Sequence, residues 1–336
     1  MSLRAGRWAA GLVAALLLLV LVAVAFEEQP GPGVGDWLDP ARLVPRERAL
    51  AGHRIRFVRT GQGPPVVLIH GLASSLFTWK ALLPRLAVRH DVLALDLPGF
   101  GGSEQPPDLS FDDLVEVVPA LLDALGLERA SLVGNSLGGA TAAAVAARWP
   151  DRVPALALID AAGFQQGPGD MPAALRLAAA DPTGLLARLP LRRPLVRLAL
   201  RQVFHDDSKV TEERVEEYLA PMLRPGAVAS LRSLLSAPPG ELERLRRALP
   251  GIRAAALIVW GREDAWVPVA HAERFREAIP GARVELLEGC GHMPQEECPE
   301  VLLGVLAPFL SEHAARAPKP SSEAGGASAP RPGSER

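Results

Sequence analysis

Gly134-Asn135-Ser136-Leu137-Gly138 is a G-x-S-x-G pentapeptide between an apolar run at 130–133 and an Ala-rich helical run at 140–149. A serine presented on a sharp strand-to-helix turn sits on strained backbone that passes close to itself. Only small residues fit two positions before and two after it. The helix that follows points its N-terminus at the serine and favours negative charge there. The chemistry this permits is attack by an alcohol with an oxyanion stabilised nearby. In a glycine-rich chain chance also supplies the pattern, so its context has to fit.

A serine nucleophile needs a general base, and the base needs an orienting carboxylate. Of seven histidines, His292 stands out, because it follows Gly289-Cys290-Gly291 directly after an apolar run that ends at Leu287. Asp264, in Gly261-Arg262-Glu263-Asp264, follows the apolar run 255–260 and is the best orienter. Asp160 is the rival acid and Glu263 a weaker one. The oxyanion needs two backbone donors: the amide of Leu137, just after the nucleophile, and that of Leu72 in His70-Gly71-Leu72-Ala73. His70 itself reads as structural. The Gly-rich turn at 96–103 lacks the lysine of a phosphate loop and the G-x-G-x-x-G spacing, which argues against nucleotide binding.

These residues share one position only if particular elements carry them there. Apolar runs at 55–58, 66–69, 92–95, 131–133, 155–159, 255–260 and 283–287 read as strands. Helical patterns fill 75–88, 111–125, 137–149, 269–279 and 299–313. Buried strands alternating with helices imply an α/β fold, a mainly parallel sheet covered on both faces. Ligands of such sheets bind beyond the carboxyl ends of the strands, where Ser136, Asp264 and His292 all fall. From about 164 to 249 the alternation breaks into proline-interrupted helical patterns, which read as an insertion after the strand ending at Asp160. The folded unit spans 41–313. Residues 27–40 read as a Gly/Pro linker and 314–336 as a disordered tail.

Composition narrows the partners. The net charge is −2, with 36 basic and 38 acidic residues, so no basic excess exists to neutralise nucleic-acid phosphates. Cys290 and Cys298 form no metal pattern, and no metal or cofactor is expected. They read as two unpaired thiols rather than a disulfide. At the N-terminus Arg4 and Arg7 precede an uncharged run from Trp8 to Phe26, and Glu27-Glu28 follow it. Residues 1–26 therefore read as a membrane anchor or, through Ala23-Val24-Ala25, as a cleavable signal peptide. Either way the domain is expected outside the cytoplasmic membrane.

His70-Gly71, the 96–103 turn, Gly134 to Gly139, Gly261 to Asp264 and Gly291-His292 resemble, in order, the landmarks of the α/β-hydrolase superfamily across residues 50–310. The resemblance implies an eight-stranded sheet with a helical cap, Ser136 as nucleophile, Asp264 as acid and His292 as base. Members that dehalogenate or open epoxides use an aspartate where this chain has Ser136, which argues against both activities. The reaction expected is hydrolysis of a small or medium apolar carboxylic ester. Phe77, Trp79, Phe164 and Trp266 are candidates to line the pocket. A carbon–carbon bond hydrolase of ring-fission products, an acyltransferase and a non-catalytic ligand receptor are the alternatives. Nothing in the sequence sets the oligomeric state.

Overall fold

The computed structural model describes residues 34–39, 43–165, 192–236 and 240–313. Its centre is an eight-stranded sheet: β1 (Arg46–Leu50), β2 (His53–Thr60), β3 (Pro65–Ile69), β4 (Asp91–Leu95), β5 (Ser131–Asn135), β6 (Ala155–Ile159), β7 (Ala255–Gly261) and β8 (Arg283–Leu287). The spatial order is β1-β2-β4-β3-β5-β6-β7-β8. Only the β1–β2 and β2–β4 pairings are antiparallel.

The central strands β4, β5 and β6 are buried along their whole length. Continuous apolar runs suit strands covered on both faces. One hydrophobic layer packs Ile69, Leu132, Leu158 and Trp260 against α2 (Phe111–Ala124) and α3 (Leu137–Arg148). The other packs Leu68, Val133 and Val259 against Trp79, Leu83 and α10 (Pro299–His313). Ser110 opens α2 with a reciprocal cap, its Oγ accepting the Asp113 amide while Asp113 Oδ2 accepts its own. α8 (Ala270–Ala278) follows β7, and the short α9 (Pro294–Glu297) precedes α10.

Two local readings change. Residues 75–88 are not one helix but a 3-10 turn, Leu76–Trp79, and a short α1, Leu83–Leu86. Pro84 cannot donate to a preceding carbonyl, so it starts a new helix instead of continuing one. β1 adds a strand that no apolar run announces, because its sequence, RERAL, is charged and mostly exposed. The opposite edge strand, β8, likewise exposes Arg283 and Glu285.

The described part of the insertion is helical: α4 (Arg192–Val203), α5 (Glu212–Met222), α6 (Ala227–Leu235) and α7 (Gly240–Ala248). Val196, Leu200, Val215, Leu219 and Met293 form a separate apolar cluster under it. Residues 34–39, the end of the expected linker, fold onto this layer. Trp37 packs edge-on against Phe77, and the Gly35 amide donates to Glu217 Oε1 at 2.5 Å. The expected anchor at 1–26 and tail at 314–336 lie outside the described residues. Among the described residues no helix is long and apolar enough to cross a membrane.

Candidate active site

Ser136 sits between β5 and α3 with φ +54°. Left-handed backbone at a non-glycine residue costs roughly 1–3 kcal/mol and persists only where its surroundings enforce it. Here they do. The Ser136 amide donates to Ile159 O (2.9 Å), and its carbonyl accepts the amides of Ala140 (3.1 Å) and Ala162 (3.0 Å). A Cβ on Gly134 would lie 2.2 Å from the Gly138 carbonyl, and one on Gly138 would lie 2.1 Å from Ile69 O. Both glycines are therefore required by close backbone approach.

Asp264 and His292 meet across two loops at the same sheet edge. His292 Nδ1–H donates to Asp264 Oδ2 at 2.7 Å, with side-chain exposures of 4% and 0%. Asp264 Oδ1 accepts the amides of Trp266 (2.7 Å) and Val267 (2.9 Å), which fixes the carboxylate. This partner puts the imidazole proton on Nδ1 and leaves Nε2 as the basic nitrogen. The His292 backbone is tied in turn. Its amide donates to Val203 O (2.9 Å), and its carbonyl accepts from Asn135 Nδ2 (3.1 Å). Asn135 immediately precedes the serine, so the histidine loop is fastened to the elbow. The Trp266 ring lies 5.7 Å from the imidazole at 31°.

The rival acids are placed differently. Glu263 braces the histidine loop by accepting the Cys290 amide at 3.1 Å. Asp160, at the end of β6, is fully buried and brings its carboxyl close to Asp264 and His292, ligand-type atoms of the three lying within 4.8 Å of one another. Asp160 Oδ1 accepts the Gly261 amide (2.9 Å). Asp264 is committed to two amides and the imidazole, whereas Asp160 Oδ2 has no hydrogen-bond partner among the described residues.

Cys290 and Cys298 are joined by a disulfide, with Cα atoms 6.2 Å apart. This corrects the expectation of unpaired thiols. The loop carrying His292 returns through α9, which brings the two ends within bridging distance.

Leu72 lies in a turn closed by Ser74 N–H to Gly71 O (3.3 Å), in which Ala73 has φ +55°. A Cβ on Gly71 would lie 3.1 Å from Ser136 Cβ, so this loop runs directly against the serine. Leu137 opens α3, where an amide has no partner within its own helix. His70 is buried beneath the loop. Its Nε2 accepts the Leu97 amide (3.0 Å) and its Nδ1–H donates to Gly71 O (2.7 Å). Burial pushes its pKa down, against the pull of Asp96 and of the Gly71 carbonyl.

Residues not singled out in the sequence tie the cap to both loops. Tyr218 of α5 donates to Glu296 Oε1 (2.5 Å) and receives Ser74 Oγ–H (3.3 Å). Arg214 Nε donates to Glu296 Oε2 (3.0 Å). Glu297 Oε2 accepts the Gly291 amide (2.5 Å). Only proximity in the fold reveals these partners; their spacing carries no motif.

Beside the Leu72 loop lies an apolar cleft, lined by Ala73 and Phe100 below and by Pro221, Met222, Val228 and Leu231 of the cap. Of the expected lining aromatics, Trp266 contacts His292. Trp79 is fully buried in the core layer, inaccessible to a substrate. Phe77 is buried between Trp37 and Tyr218. Phe164 is half-buried and packs on Phe275, ring centroids 4.8 Å apart.

A family profile described as alpha/beta hydrolase fold matches residues 64–299. The chain is 35% identical over 278 residues to the dihydrolipoyllysine-residue acetyltransferase component of the acetoin cleaving system of Pseudomonas putida, covering 80% of this chain and 70% of that protein. It is 32% identical over 278 residues to the 2-hydroxymuconate semialdehyde hydrolase of Pseudomonas sp. strain CF600, covering 80% of this chain and 94% of that enzyme. The crystal structure of a membrane phospholipase A, a bacterial virulence factor, aligns with a TM-score of 0.68 at 29% identity, covering 91% of this chain and 98% of that one.

Proposed function

Because this chain belongs to the α/β-hydrolase family, we propose that it is a serine hydrolase cleaving a carboxylic ester of an apolar acid through an acyl-enzyme. The observation that carries this reading is the His292–Asp264 pair, at 2.7 Å, fastened through Asn135 to the elbow that bears Ser136. Ser136 Oγ attacks the ester carbonyl while His292 Nε2 takes its proton. The tetrahedral oxyanion forms against the amides of Leu72 and Leu137. Collapse expels the alcohol, which takes the proton from His292. Water, deprotonated by the same nitrogen, then releases the acid.

The apolar cleft between the Leu72 loop and the cap suits the acyl chain. The likeness to a membrane phospholipase A also favours a carboxylic ester. The domain works outside the cytoplasmic membrane, a reading supported by the apolar run at 8–26 and by the Cys290–Cys298 disulfide. Cell fractionation with an alkaline wash tests it, since recovery in the cytosol contradicts export.

The test of the reaction is labelling with a fluorophosphonate. The wild type is labelled and Ser136→Ala is not; a folded wild type that stays unlabelled overturns the proposal. A second reading, carbon–carbon bond hydrolysis, is favoured by the likeness to 2-hydroxymuconate semialdehyde hydrolase. Turnover of a vinylogous diketone with negligible esterase activity selects it. Adding alcohol or thiol acceptors to the ester assay tests the acyltransferase alternative.

A further inference from the structure

Asp160 is a fully buried carboxyl beside Asp264 and His292 that the reaction above leaves without a role. Its backbone continues the sheet, the Asp160 amide donating to Val259 O at 3.0 Å, yet its φ is +45°. Such strain at a non-glycine residue marks a position enforced by its surroundings. The side chain is fully buried. Oδ1 accepts the Gly261 amide, while Oδ2 is sealed from solvent with no partner among the described residues. Asp264 and His292 stand beside it.

Two carboxyl groups this close and this dry do not both ionise. The hydrogen bonds decide which keeps the charge. Asp264 receives two backbone amides and the imidazole N–H. Asp160 receives one amide. The negative charge therefore belongs to Asp264 and the proton to Asp160, on the oxygen that lacks a donor.

We propose that Asp160 works as a neutral carboxylic acid whose Oδ2–H donates to the Asp264 carboxylate, a positioning residue that holds Asp264 in line with His292. Burial, and then the charge of Asp264, push its pKa well up, in keeping with this geometry. The titratable groups facing it are Asp264 and His292, with Glu297 contributing a further negative field from the histidine loop. Loss of the Asp160 proton at high pH sets two carboxylates side by side, displaces Asp264 and lowers turnover. The inference rests on Asp264 being the acid of the triad.

The test combines infrared spectroscopy with kinetics on p-nitrophenyl butyrate. The wild type at neutral pH shows the carbonyl stretch of a buried protonated carboxyl, and Asp160→Asn lacks it. This measurement needs no turnover, so it separates failure of the inference from failure of the esterase reading, which fluorophosphonate labelling reports. Asp160→Ala lowers kcat about tenfold or more, the scale of one lost hydrogen bond. Asp160→Asn, which keeps a donor for Asp264 and an acceptor for Gly261, restores most of that loss and extends the rate profile to higher pH. An absent infrared band in the wild type overturns the proposal. So does an Asp160→Asn defect as large as that of Asp264→Asn, because Asp160 would then carry the charge itself.

Discussion

The carbonyl of Val203, the last residue of cap helix α4, accepts the amide of His292 at 2.9 Å. The helical insertion and the loop that carries His292 therefore share a backbone hydrogen bond. Gly291 makes this possible, since a Cβ there would lie 2.5 Å from Val203 O and 2.8 Å from His205 N. Gly291→Ala forces the end of α4 away from His292 at a cost of about 1–3 kcal/mol, the usual penalty of overpacking. The expected result is a fall in kcat with the circular dichroism of the sheet retained. Wild-type kcat in a folded Gly291→Ala protein contradicts the coupling.

Asp264→Asn keeps the amide bonds of Trp266 and Val267 on its remaining oxygen but presents an N–H to His292. The imidazole must then turn or change tautomer. Triads with this change lose about four orders of magnitude in kcat. The same loss is expected here, with an unaltered melting profile. Activity within tenfold of wild type assigns the acid elsewhere.

The disulfide closes a loop around His292 between cysteines separated by eight positions in sequence. On the chain-entropy estimate such a closure stabilises by about 2.5 kcal/mol. A Cys290→Ser, Cys298→Ser protein, or the wild type in dithiothreitol, is expected to melt at lower temperature and to lose turnover before it loses secondary structure. Equal melting in oxidised and reduced protein removes the bond from the stability account.

The contribution of His70 to stability should fall on mild acidification. His70 is held neutral because burial lowers its pKa, whereas the unfolded histidine takes a proton near pH 6.5. The folded state then binds fewer protons. The contribution is fully present above about pH 6.5 and is lost as pH falls toward the folded value, with a slope of at most about 1.4 kcal/mol per unit. Asp160 tilts the curve oppositely, since its raised pKa makes its contribution fade as pH rises. In urea unfolding, the wild type should lose stability relative to His70→Gln as pH falls from about 6.5 to 5. Parallel curves contradict the assignment.

The strands that carry the site were legible because they are continuous apolar runs, and the turns after them because glycine and proline punctuate them. Ser136, Asp264 and His292 could be named on that basis, each lying just past a strand end. β1 was not legible, because an edge strand need bury only one residue in five. The roles of Asn135, Tyr218 and Glu297 depend on partners up to 157 residues away in the chain. Pairing of Cys290 with Cys298 depends on how α9 folds the loop back, which spacing alone does not state.

The charged rims of the sheet set how the molecule meets others. β1 presents Arg46, Glu47 and Arg48, and β8 presents Arg283 and Glu285. An incoming strand would have to strip water from these groups before its backbone could pair. Growth into a continuous ribbon is thereby discouraged at both ends, so crowding is expected to leave the protein dispersed instead of drawing it into cross-strand aggregates.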